Sequence, residues 1–363
     1  MYWTTLLLLP LIFSHWLGII FTGFYLFYLF SISLISRVIR KDWKFTQLAF
    51  MALSIIFFFI FINFDKLLFS PTSLNLSYAI QYLSLFGIIF IASSQKNFER
   101  FNFNNIASFF FWICFLTIFL EFVLVNFFGL SKSVFPAARL DSPVYMSNIF
   151  GFHRPFGLTG QASVNGCLLI LSYLLVHEFK IHRLYHSLLA LIGIIMTISG
   201  QAILVGIITI FLLNTDKLNA SIPIKLFLLS IASGLLFIFL KTGFFFKISW
   251  DYLMRFIFEW SNIENVLFIL TPSQWFLGTL GDIFIQAGKT SEFYLITSVF
   301  LWGLLFTSIF WIFNWLLISQ SRYAKTWFVI IFVSSLHYPT IFFIEAQIII
   351  ALVYFAHQKK SSI

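Results

Sequence analysis

The sequence predicts an all-α, polytopic membrane protein of about 12 transmembrane helices, within a range of roughly 11 to 14. Three observations carry that reading. Of 363 residues, 60% are hydrophobic and only 10% are charged, a balance that a soluble surface does not tolerate. Apolar runs recur along the whole chain, several of them reaching the roughly 17–25 residues that a bilayer-spanning helix needs. Lys and Arg fall between these runs rather than within them, where the positive-inside rule puts them.

The elements follow in order. The first apolar stretch, 3–36, is too long for one helix, and Pro10 with the polar pair Ser14-His15 divides it into spans 3–14 and 16–36. It lacks a basic leader and a small-residue cleavage site, so it is read as a retained span. Further spans are expected at 45–64, 75–95, 105–127, 158–178, 222–242, 290–319, 325–340 and 342–357. The stretch 185–214 carries Ser199-Gly200-Gln201 at its middle, which predicts a hairpin of two short helices with a polar tip.

With this count, every strongly basic cluster lies on one side. The clusters are Arg37/Arg40/Lys41/Lys44, Lys96/Arg100, Lys180/Arg183, Lys217/Lys225, Arg322/Lys325 and Lys359/Lys360. Both termini join them on that side, which the rule makes cytoplasmic. The chain is thus expected to be a single transmembrane domain, 1–363, with two large loops, 128–157 and 242–290, on the opposite face. Those loops carry Lys132, Arg139, Arg154, Lys247, Arg255 and Lys289. The second also has an amphipathic stretch, 244–260, suited to lie along the membrane surface.

Several function classes are excluded. The net charge of +9 forms no continuous stripe, so no nucleic-acid partner is expected. Cys114 and Cys167 lie in apolar runs without Cys or His at metal-ligand spacing. There is no P-loop, dinucleotide fingerprint, HExxH or GxSxG, so neither a nucleotide cofactor nor an obligatory metal is expected. The 53 Phe residues are read chiefly as general-purpose apolar filling, and in lesser part as ligand contacts.

Three stretches hold the candidate functional residues. "GFHRPFGLTGQASVNG", 151–166, sets His153 and Arg154 where a loop enters a span, followed by Gln161, Ser163 and Asn165 in its first turns. Polar groups at membrane depth are costly unless they line a cavity or meet a partner. A helix N-terminus with an adjoining Arg suits an anion; the alternative is a headgroup anchor. "LGTLGD…TSEFYL", from 277, has Gly278 and Gly281 in a permissive turn and Ser291-Glu292 at the start of a long span. Glu292 is either a charge offsetting the helix dipole or a general base. "SSLHYPT", 334–340, brings His337 near the outer end of a span beside Glu345 of the next; a hydrogen-bonded packing role is the alternative.

These segments resemble those of the bacterial O-antigen polymerase (Wzy) family, within the O-antigen ligase and polymerase superfamily. "HRPFGLTGQASVNG" looks like the family's Arg-x-x-Gly stretch that ends in Asn and leaves a periplasmic loop. "LGTLGD…TSEFYL…WG" looks like its second block, and "SLHYPT" is similar to a late His-bearing segment of some members. Two departures favour polymerase over ligase: Ser291-Glu292 where ligases usually have a His, and Gln161-Ala162 where a His/Glu-Pro pair is common.

The resemblance implies a metal-independent glycosyltransferase of the bacterial inner membrane. It would join undecaprenyl-diphosphate-linked oligosaccharide repeat units on the periplasmic face, with membrane lipid and a chain-length regulator protein as partners. It gives Arg154 the diphosphate, assisted by Arg139 or Arg255, and makes Glu292 and His337 candidate bases. It sets His153, Gln161, Asn165, Gly278, Gly281 and Ser291 around the substrate, with Trp250, Trp260 and Trp275 available to stack on sugars. The alternatives are an O-antigen ligase and, in another class, a flippase for the same lipid-linked oligosaccharide. A transporter would more often show internal repeats and mid-membrane charges.

Overall fold

The computed structural model describes residues 10–39, 47–69, 71–93, 102–135, 152–217, 270–280, 294–336 and 340–361. The predicted span 222–242 and the amphipathic stretch 244–260 lie outside the described residues, as does most of each long loop. Among the described residues the regular structure is entirely helical. Four helices, Ile19–Ile39, Asn75–Ser93, Phe103–Asn126 and Ile296–Ile318, are long and apolar enough to cross a bilayer. The chain is a membrane protein.

Helices α1 (Ser14–Leu17) and α2 (Ile19–Ile39) divide the first apolar stretch. The break falls at Gly18, with φ 90°, slightly later than Ser14-His15, because glycine takes that conformation without a Cβ clash. Next come α3 (Gln47–Ile62), a π-turn at Asp65–Phe69, α4 (Ser73–Ser93) and α5 (Phe103–Asn126). The expected short hairpin is present as α7 (Leu184–Met196) and α8 (Gly200–Lys217). Its turn holds Ile198 at φ 46°, a strained setting for a β-branched residue.

A short α9 (Pro272–Leu277) leads to α10 (Tyr294–Ile318), which the sequence suggests is one continuous span. It is instead broken at Gly303, with φ 75° and ψ 166°. The carbonyls released there are taken up by the preceding loop. Thr279 N–H donates to Phe300 O at 3.1 Å and Leu280 N–H to Leu301 O at 2.8 Å, as an apolar setting demands of released carbonyls. The approach requires glycine on both sides: a Cβ on Gly278 would lie 2.5 Å from Leu301 O. Helices α11 (Ala324–Ser334) and α12 (Ile344–Ser361) complete the described chain.

The helix at the centre is α6 (Ala162–Glu178), in which every residue is buried. It packs against α5, α7, α8, α11 and α12. By contrast α2 and α3 turn large apolar side chains outward, Phe24 at 69% and Phe61 at 76% exposure, as lipid-facing helices do. Phe also fills the interior: Phe59 stacks on Tyr82 at 4.6 Å and Phe310 on Phe342 at 4.3 Å. Phe therefore serves both lipid face and core, in line with the general apolar role read from composition.

Helix ends that the basic clusters assign to one side do meet. Glu178, at the end of α6, is bonded to Ser321 in the α10–α11 turn and to His357 near the end of α12.

Candidate functional site

At its N-terminal end α6 is approached by the loop 152–161, and the fold of that loop begins on α5. Glu121, one turn before the end of α5, is 1% exposed. Its Oε1 accepts from Phe156 N–H at 2.7 Å and pairs with His153 Nε2 at 3.0 Å, while Oε2 accepts from Gly157 N–H at 2.7 Å. Asn126, a turn further on, accepts from His153 N–H at 2.6 Å and donates to His153 O at 3.1 Å. A carboxylate in an apolar helix needs such donors, and successive N–H groups of a tight loop supply them.

Asn165 holds the loop from the other side. Its Oδ1 accepts from Thr159 N–H at 3.1 Å, and its Nδ2 donates to Gln161 O at 3.0 Å and also to Phe156 O. Gly157, at φ 56°, fits between: a Cβ there would lie 2.6 Å from the Asn165 side chain. Its carbonyl accepts from Trp16 Nε1 of α1 at 3.1 Å. His153 and Asn165 are thus buried braces of the loop, whereas the sequence set them beside a ligand.

What this bracing presents is Arg154, half-buried. Its Nε donates to Thr197 O at 3.3 Å and its Nη2 to Ser163 Oγ at 3.4 Å. These two contacts orient the guanidinium across the loop, between α6 and the α7–α8 turn. Ser199 Oγ donates to the same Ser163 Oγ at 2.9 Å, which brings the tip of the α7–α8 hairpin into the cluster. Gln201 Nε2 donates to Ser334 O at 2.7 Å, and Thr340 Oγ1 to the same carbonyl at 2.9 Å. Two amide oxygens here, Gln161 Oε1 and Gln201 Oε1, are buried with no hydrogen-bond partner.

Three of the segments singled out in the sequence therefore converge: the 151–166 stretch, the hairpin tip 199–201 and the 334–340 stretch. The 277–303 stretch is employed differently. Gly278 forms the backbone clamp on the broken α10, Lys66 Nζ donates to Thr279 O at 3.0 Å, and Trp302 Nε1 donates to Tyr78 O at 3.3 Å. Arg139, Arg255, Gly281, Ser291, Glu292 and His337 lie outside the described residues. Among the described residues no group of three or more His, Cys, Asp or Glu is arranged to hold a metal ion.

Sequence reasoning missed Glu121 as the organiser of the loop and Glu178 as the lock at the other end of α6. A signal was present in each: a carboxylate inside or bordering an apolar run is expensive and so implies a partner. The partners themselves are distant in sequence and could not be read.

The chain matches no protein-family model, no curated protein and no solved structure. A functional reading therefore rests on the motifs and on the geometry of this cluster.

Proposed function

We propose that the protein is an O-antigen polymerase of the bacterial inner membrane, with about 12 spans, both termini cytoplasmic and the Arg154 cluster on the periplasmic face. The donor is an oligosaccharide on undecaprenyl diphosphate. A hydroxyl of the next lipid-linked unit attacks the sugar C1. The C1–O bond to the diphosphate breaks, a new C1–O bond forms, the diphosphate leaves with the electron pair, and the hydroxyl proton passes to a base.

The observation that carries this reading is Arg154. A planar cation beside the opening of a wholly buried helix suits a diphosphate whose charge grows as it departs. The buried oxygens of Gln161 and Gln201 are acceptors of the kind that sugar hydroxyls satisfy. Glu292 and His337 are the candidate bases of this proposal. A ligase would use the same donor and a flippase would carry it, so the phenotype must separate the three.

A deletion strain should carry a single repeat unit on its lipid core. Long carrier-linked chains without transfer would mean a ligase, and units held on the cytoplasmic face a flippase. Returning Arg154→Ala should give normal membrane abundance but no chain growth, and Arg154→Lys at most weak activity, because charge without the fork stabilises the leaving group poorly. Normal long-chain polysaccharide from the Arg154→Ala strain would defeat the proposal and leave Arg154 a headgroup anchor.

A further inference from the structure

Glu345 lies in the first turn of α12 and is fully buried. Its Oε1 accepts from the Ser14 hydroxyl at 2.7 Å. Its Oε2 is buried and has no hydrogen-bond partner. The other two buried carboxyls among the described residues are equipped quite differently. Glu121 receives two backbone N–H groups and His153, and Glu178 receives a hydroxyl, an indole N–H and His357. Glu345 has one hydroxyl, its own backbone N–H and its place at a helix N-terminus.

Among the described residues no cation pairs with Glu345, although His15 stands next to Ser14 on α1. From α5, the Cys114 thiol is within electrostatic reach of Glu345. From α4, Gln81 and Ser84 are engaged with Gln347 instead. From α6, Cys167 pairs with Thr340, and from α10, Trp302 and Phe310 stack on Phe342. An ionised carboxylate so placed would lose hydration without gaining a counter-charge, which disfavours the charged form strongly. A neutral acid fits the atoms. Ser14 then donates to Oε1 as the carbonyl oxygen, and the proton occupies Oε2, the oxygen that has no donor.

We propose that Glu345 and Ser14 form an occluded proton-binding site in which the proton is carried on Glu345 Oε2. Intramembrane carboxyls that hold a proton away from water are a usual means of linking protonation to conformation. Here the link has a defined route. Ser14 belongs to α1, which the Gly18 break separates from α2, and the same short helix places Trp16 on Gly157 O in the Arg154 loop. The proton site is thus one short helix from the candidate functional site. It does not depend on glycosyl transfer as the activity.

Infrared spectroscopy of the full-length protein in lipid vesicles tests this directly. The spectrum of the native protein minus that of Glu345→Gln should contain a carboxylic-acid carbonyl band at neutral pH, unchanged when sodium chloride is added. Ser14→Ala should move the band to higher frequency, because the carbonyl loses its donor. If Glu345→Gln fails to fold, Glu345→Asp provides the second variant, and the acid band should shift with it. Carboxylate bands alone at neutral pH would overturn the proposal. So would loss of the acid band on adding sodium at fixed pH, which would make this a monovalent-cation site.

Discussion

The two ends of α6 are built to different rules. At the C-terminal end Glu178 has three partners: Ser321 Oγ donates at 2.6 Å, Trp327 Nε1 at 3.1 Å, and His357 Nε2 lies at 2.7 Å. These partners come from the α10–α11 turn, α11 and α12, so one carboxylate closes that end of the bundle. At the N-terminal end Arg154 is held at 3.3 and 3.4 Å, and two buried amide oxygens have no partner. A buried polar group left unpaired costs about 1–3 kcal/mol. The difference lies in what meets the functional groups: Glu178 takes three partners from three elements, whereas the Gln161 and Gln201 side-chain oxygens near Arg154 have no hydrogen-bond partner.

The largest expected effect is on the Glu178 end. Glu178→Ala leaves two buried donors, Ser321 and Trp327, and the half-buried His357 without an acceptor and should lower stability by roughly 3–5 kcal/mol, read as a fall in thermal unfolding temperature in detergent. Arg154→Ala in the same assay should shift unfolding by less than about 1 kcal/mol, given its half-buried position. If the two variants melt alike, the contrast between the ends fails.

Gly157→Ala tests the N-terminal end at the loop that presents Arg154. The left-handed backbone and the contact with Asn165 together should cost roughly 1–3 kcal/mol, less than Glu178→Ala. Chain growth should nevertheless be lost, because Phe156 and Gly157 carry the N–H groups that fix the loop on Glu121. A Gly157→Ala protein that melts lower yet makes normal chains would show that the loop geometry is structural only.

The smallest effect sharpens the contrast most. Replacing Gln161 by Leu removes a buried oxygen that nothing satisfies, so stability should change by less than about 1 kcal/mol or even rise. Binding of the lipid-linked oligosaccharide, followed by titration into the purified protein, should weaken. Unchanged binding would take Gln161 out of the site.

The sequence by itself determined that this is a helical membrane protein, because apolar run length and the sorting of Lys and Arg are local properties of a chain in lipid. It also located the polar tip of the α7–α8 hairpin and the stretch around Arg154, since Gly, Ser, Gln and Arg stand out against apolar neighbours. Tertiary structure alone decided the rest. The break at Gly303 depends on a loop more than twenty residues away supplying its N–H groups. Whether a polar side chain braces or binds depends on what lies across from it. His153 and Asn165 turned inward because Glu121 and the loop backbone met them there. Arg154 stays half-buried and reaches Ser163 Oγ on α6 at 3.4 Å and Thr197 O in the α7–α8 turn at 3.3 Å. Those distances are set by how α5, α6 and the α7–α8 hairpin pack, and no residue's neighbours in sequence record them.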